Sequence, residues 1–304
     1  MKTVLFLFLT ISKALIAQQH ELSIGLGASY YFGDLNSKNS SLGPLSLFSE
    51  TADWNTYRPS FTLSYRGYVN DYFSFGFGFT YAKLTGNDNN SKGNSTAEAG
   101  FYRKVRNLNF YTDIYSTTID CRFEPWRTYE RWNSSQWLQS PYVGLGLGIF
   151  QFNPKTTLRG REVELQPLGT EGQGRMGYGA KYNRVQPVLP LSLGIQFYNP
   201  DRNFSLGIDM TYSFTFTDYL DDVSSRYADP AIFEDNIGSV SANDIQELAN
   251  RNLYGAFDPT YGYITKPGEI RGNKDNNDNF FIAQLRFSWF FSKQIGSYAN
   301  PMHF

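Results

Sequence analysis

Chemistry at neutral pH needs a base, a nucleophile or a ligand set, and this chain supplies few of them. Its two histidines, His20 and His303, lie near opposite ends of 304 residues. A hydrolase or acyltransferase on a barrel rim would need an imidazole in or near a strand end, and neither His falls in the strand pattern below. Gly144-Leu145-Gly146-Leu147-Gly148 is rich in glycine, but it opens no helix and so does not read as a phosphate cradle. Two acidic groups, Asp221 and Asp222 with Asp229, and Asp275 to Asp278 in KDNND, offer oxygen ligands of the kind Ca²⁺ takes. They lack the calcium-loop spacing and read as solvated turn residues. The one cysteine, Cys121, cannot form an internal disulfide. The expectation is a protein with no catalytic group, no cofactor and no metal, which is not an enzyme.

The formal net charge is -1, so there is no basic surplus for a phosphate backbone and nucleic acid is not an expected partner. Aromatic residues make up 17% of the chain, and their spacing points to the elements. In FSFGFGFTYA, residues 73–82, a large aromatic stands at every odd position from Phe73 to Tyr81 and a small or polar residue at every even one. Seven other segments alternate in the same way, giving strands near 22–33, 61–69, 72–84, 110–124, 142–152, 187–198, 204–218 and 280–292. About 10 residues is the length a tilted strand needs to cross a hydrocarbon layer.

The connections sort by length. Those after the second and sixth strands are tight, the one after the fourth is intermediate, and the other four are long: roughly 36–58, 85–107, 153–185 and 220–278. Short turns at one rim, long loops at the other and an even strand count predict an all-β fold. It is an eight-stranded antiparallel up-and-down transmembrane β-barrel with short periplasmic turns and long extracellular loops. A soluble β-sandwich would bury the aromatic face against a second sheet, but it has no reason to sort its loops this way. Outer-membrane lipid is then a partner, with both termini periplasmic. Residues 1–17, MKTVLFLFLTISKALIA, read as a secretory signal peptide ahead of a barrel over 18–304. No apolar run is long enough for a transmembrane helix.

Parity turns Arg66, Asp120, Arg122, Glu124, Asp209 and Arg286 inward, three cations and three carboxylates able to balance one another. Eight strands enclose only enough space for side chains, so this set reads as a salt-bridged filling and not as an ion path. The intermediate turn EPWRTYERWNSSQWLQS, 124–140, carries Trp126, Tyr129, Trp132 and Trp137. They have two readings, an aromatic belt at the lower rim or a contact surface for a periplasmic partner. In the last long loop, Ser241 followed by Asp244 reads as a helix start.

The strings GASYYFGDLN (27–36), SPYVGLGLGIFQFNPK (140–155), LQPLGTEGQG (165–174), FTDYLDDVSSRYADP (216–230) and RGNKDNND (271–278) together resemble the PorG-like outer-membrane barrel family of Bacteroidota. The match is ordered and spans nearly all of residues 18–304. LGTEGQG and TDYLDDVS are its most specific stretches, as family markers and not as catalytic motifs. The resemblance implies a part in type IX protein secretion, anchoring a periplasmic ring of the PorK and PorN type to the outer membrane. A structural or adhesive surface barrel that binds an external ligand through its long loops is the other reading.

Overall fold

In an extended chain the alternation of large and small residues produces a wall with two unlike faces, and here the wall closes. The computed structural model describes residues 19–35, 56–91, 99–126, 138–199, 203–252 and 265–291. Ten strands lie in chain order: β1 (Gln19–Phe32), β2 (Arg58–Tyr68), β3 (Phe73–Asn87), β4 (Asn109–Phe123), β5 (Leu138–Gln151), β6 (Lys155–Leu158), β7 (Arg161–Glu164), β8 (Val185–Asn199), β9 (Phe204–Thr215) and β10 (Asn279–Phe291). Eight of them pair antiparallel in the order β3-β2-β1-β10-β9-β8-β5-β4, and β3 pairs β4 to complete the ring. First and last strands meet along a seam running from His20 opposite Phe291 to Phe32 opposite Asn279. The proposed signal peptide lies outside the described residues.

The remaining pair, β6 and β7, is a hairpin joined to the wall at one position, Tyr111 opposite Lys155. It lies in the segment read from sequence as loop. Four residues per strand are too few for alternation to register, although the turn residues Arg159 (φ 48°) and Gly160 (φ 79°) mark its tip. Two short helices lie in the long loops, α1 (Ala99–Arg106), which the sequence pattern does not indicate, and α2 (Ala242–Ala249). The second begins where expected, with Ser241 Oγ accepting from the Asp244 N–H at 3.2 Å.

Outward faces are apolar around the ring. Leu26 is 61% exposed and Leu285 69%, and Phe77, Leu145, Leu147 and Ile149 are likewise exposed. Aromatic neighbours pair across strands on this face, Phe73 with Phe123 at 5.1 Å and Tyr81 with Tyr115 at 5.4 Å. The inward face of β5 is small, with Gly144, Gly146 and Gly148 set against β4. A Cβ at Gly148 would lie 2.3 Å from the Thr117 carbonyl oxygen, so no larger residue fits without moving backbone.

The interior is layered. At the short-turn end Tyr68, Tyr198 and Phe290 cluster, with Tyr198 and Phe290 edge to face at 4.7 Å. Above them lie the charged residues, and a cavity of about 100 Å³ is lined by Arg66, Asp120, Asp209 and Arg286 together with Ser and Thr side chains. An apolar stopper follows, including Ala82, Ile114, Phe150, Val188, Phe280 and Ile282. It continues into the long loops through Leu35, Leu220 and Val223, which belong to the same core.

Candidate functional site

Two sets of polar residues are held firmly enough to act: the charged layer inside the wall and a cluster in the folded cap of long loops. In the wall, Arg66 meets Asp120 at 2.5 Å and also donates to Ser74 Oγ. Arg286 meets Asp209 at 2.8 Å and donates to the Tyr142 hydroxyl at 3.0 Å. The Arg122 guanidinium lies over the Tyr142 ring, 3.8 Å from its centroid, and Glu124 accepts from Ser140 Oγ at 3.0 Å. All six residues therefore point inward.

The layer also holds Glu21, fully buried, which accepts from the Tyr68 hydroxyl and from Ser288 Oγ. The balance of three cations and three carboxylates is thus corrected to three and four. Glu21 was missed because the apolar alternation was counted from Leu22, whereas β1 begins at Gln19 and puts Glu21 at an inward position. His20 also lies in β1, which corrects its placement outside the strands. Its ring faces outward, stacked on Tyr65, and its Nδ1 shares a 2.6 Å hydrogen bond with the Tyr65 hydroxyl. Trp126 stands half exposed at the turn after β4; Tyr129, Trp132 and Trp137 lie outside the described residues.

The cap corrects the reading as solvated turn residues for three of its acids, while Asp229 and Asp275 are exposed as that reading has them. Asp221, Asp222 and Asp278 are all buried. Asp222 accepts from the hydroxyls of Thr170 and Tyr182. Glu171 accepts from the N–H groups of Ser224 and Ser225 and from Ser225 Oγ, and pairs with Arg271 at 2.9 Å with both side chains out of water. The LGTEGQG and TDYLDDVS strings therefore dock on each other, and Arg271 of RGNKDNND fastens them. Left-handed glycines at 169, 172 and 174 turn the first string so that Thr170 and Glu171 face the second.

Arg106, at the end of α1, ties three loops together. It binds Asp88 through two bonds of 2.8 Å and donates to the carbonyls of Asp34 and Arg271. A second small core joins the β6–β7 hairpin to α2 through Leu158, Val163, Phe233, Ile245 and Leu248. Arg159 at the hairpin tip pairs with Asp244 and Glu247 of α2.

Tyr31 rises from the stopper, its ring against Phe110 at 4.8 Å, and its hydroxyl touches two carboxyls: Asp221 Oδ2 at 2.6 Å and Asp278 Oδ1 at 2.8 Å. Burial pushes both of these carboxyls upward from the usual range. It pushes Asp218 up to about 9 and Asp222 up to about 6, the latter opposed by Arg271. Beside them a cleft of about 380 Å³ opens among Tyr102, Arg103, Arg106, Tyr227 and Asn273. Among the described residues no group of three His, Cys, Asp or Glu is placed to hold a metal ion. Sequence reasoning found these strings as markers but not as one site, because residues from four separate loops meet there only after the ring has closed.

A family model described as a domain of unknown function, DUF6089, matches residues 1–266. No curated protein sequence matches the chain. Among solved structures the chain is similar to Neisserial surface protein A, at 12% identity and a TM-score of 0.40 over 90% of this chain and 98% of that one. It is similar to Ail of Yersinia pestis, at 12% identity and a TM-score of 0.37 over 90% and 98%. It is similar to OprG of Pseudomonas aeruginosa, at 9% identity and a TM-score of 0.38 over 91% and 97%.

Proposed function

This chain belongs to the DUF6089 family, a domain of unknown function, and from that premise we propose a non-enzymatic outer-membrane barrel that anchors a periplasmic ring of the PorK and PorN type, the part in type IX secretion that its PorG-like strings imply. One observation carries the reading: the barrel is stopped at both ends, by Tyr68, Tyr198 and Phe290 below and by the Phe150 and Phe280 stopper above, while its outer face is apolar. An apolar outer face calls for lipid, and a filled interior does not support conduction, so holding something at the membrane is the task such a body suits. Residues 1–17 as an export signal, and long loops outside with both termini in the periplasm, belong to the same reading.

The contact surface we assign is the turn after β4, with Trp126, Tyr129, Trp132 and Trp137; aromatic side chains of this kind supply interface area at small entropic expense. The test is a mild-detergent pull-down of the tagged protein from outer membranes. Ring proteins should come with it, and replacing Trp126, Trp132 and Trp137 with Ser should reduce their recovery while the barrel still inserts. Recovery of the barrel alone, with the ring proteins present in the input, would overturn the anchoring role. The folded cap favours a second reading, an adhesive barrel meeting an external ligand. On that reading, trimming the loop between β9 and β10 removes adhesion and leaves secretion intact.

A further inference from the structure

The Tyr31 hydroxyl carries one proton, yet carboxyl oxygens lie on two sides of it at hydrogen-bond distance, 2.6 Å to Asp221 Oδ2 and 2.8 Å to Asp278 Oδ1. If both carboxyls were ionised, one contact would set two bare lone-pair oxygens against each other in a buried site. A second proton is therefore required, and the neighbouring donors say where it sits. Asp221 already accepts from the Leu35 and Val223 N–H groups at 3.1 and 2.8 Å, which with Tyr31 makes three donors. Three donors suit a carboxylate. Among the described residues the Asp278 carboxyl has, besides Tyr31, one donor, the Leu220 N–H at Oδ2, 2.9 Å, so Oδ1 can carry a proton and donate it to the Tyr31 oxygen.

We propose that the loop cap is latched by a proton on Asp278: its carboxylic acid donates to Tyr31, Tyr31 donates to Asp221, and loss of that proton releases residues 216–224 from the mouth of the barrel. The relay joins the stopper to the cap at one point. Tyr31 is in β1, Asp278 leads into β10, and Asp221 lies between Leu220 and Val223, both packed into the stopper.

Among the described residues, none of the cations near this group forms an ion pair with Asp278. Asp34 lies close by on the segment after β1, and its own carboxyl accepts from the Asn273 N–H. Asp218, buried in the same loop as Asp221, adds a further carboxyl, with the Ser224 side chain as its hydrogen-bond partner. Of the nearby cations, Arg106 is bound to Asp88 and Arg271 to Glu171, and Arg103 stands on α1 beside Arg106. When Asp278 ionises, it faces Asp221 and Asp218 with Asp34 behind, and like charges out of water repel strongly. Burial acts on Asp278 in the direction this requires; at Asp221 it acts upward as well, and there the Tyr31 and Val223 donors and the Arg106 charge oppose it and favour the carboxylate.

The full chain in lipid nanodiscs provides the test, by hydrogen exchange of peptides covering residues 216–224, corrected for the intrinsic pH dependence of exchange. If opening releases one proton, exposure of this loop should grow about tenfold per pH unit once the latch titrates. Asp278→Asn keeps the neutral form, with an amide N–H for Tyr31 and an oxygen for Leu220, and should stay shut at every pH. Asp221→Asn sets an amide N–H₂ against existing donors and should open the loop even in acid. A wild type indifferent to pH, or an Asp278→Asn variant that opens like Asp221→Asn, would overturn the proposal. So would closure at alkaline pH restored by added Ca²⁺ alone, which would make the cluster a cation site. If either variant fails to insert, the infrared band of a protonated carboxyl in the wild type decides: its disappearance in step with loop opening supports the latch, and its absence at neutral pH refutes it.

Discussion

Arg66 and Asp120 meet at 2.5 Å across a strand that belongs to neither of them. Gly76 of β3 is the residue between, opposite Arg66 on one side and Asp120 on the other. A Cβ there would come within 2.6 Å of both side chains. The glycine is what allows the pair to close.

Gly76→Ala should push the two side chains apart and destabilise the barrel by about 1–3 kcal/mol, since inserted volume in a filled interior is absorbed by strain. Arg66→Leu should cost more, roughly 3–5 kcal/mol, because it leaves Asp120 without its counter-charge. The double variant Arg66→Leu, Asp120→Leu should recover most of that loss. Urea unfolding from lipid vesicles measures all three, and a double variant as weak as Arg66→Leu alone would refute the pairing as the cause.

Glu171→Gln should loosen the cap and spare the wall. It strips the counter-charge from buried Arg271 and weakens the seat of the Ser224 and Ser225 N–H groups, at about 3–5 kcal/mol of local stability. Protease should then cut within residues 216–224 while the barrel keeps its heat-dependent migration on gels. Loss of both together would mean that the cap and wall fold as one unit.

The Asp222 carboxyl is held at about 6, above the value of about 4 it would have in an unfolded chain. The folded cap therefore binds this proton more tightly than the unfolded chain does. Its contribution to stability is whole below about pH 4 and is lost as pH rises through about 6. Asp222→Asn should flatten that part of the cap's stability profile, measured by exchange of the Thr170 and Tyr182 peptides. A slope of opposite sign in the wild type would show that Arg271 outweighs burial at this site.

Purified protein in planar lipid bilayers should show no unitary conductance. The expectation rests on the stoppers at both ends of the barrel, and a stable open level would contradict it.

The wall was legible in the sequence because a pleated strand exposes its period directly: FSFGFGFTYA states which side of β3 is out. Strand ends were less so. Glu21 and His20 were missed since a polar residue at a strand terminus looks the same whether it pairs or not. The cap was illegible for a different reason. Asp221 reads as a turn residue by composition, and only the arrival of Tyr31 and Leu35 from β1 and Thr170 and Glu171 from the β7–β8 loop turns its neighbourhood dry. Burial of that kind is a property of the assembled molecule and leaves no local period.

The seam between β1 and β10 bears on the order of events during assembly. His20 pairs with Phe291, so the contact that completes the ring joins residues nearly a full chain apart. Loop closure over such a span comes late, after the hairpins of near neighbours have formed. Until then both margins of the growing sheet carry unpaired backbone donors and acceptors, which hydrocarbon will not tolerate. On the proposed placement in a membrane, whatever delivers this chain must therefore shield two open edges until the last strand arrives. A chain cut short of β10 would keep its hairpins and never become a ring.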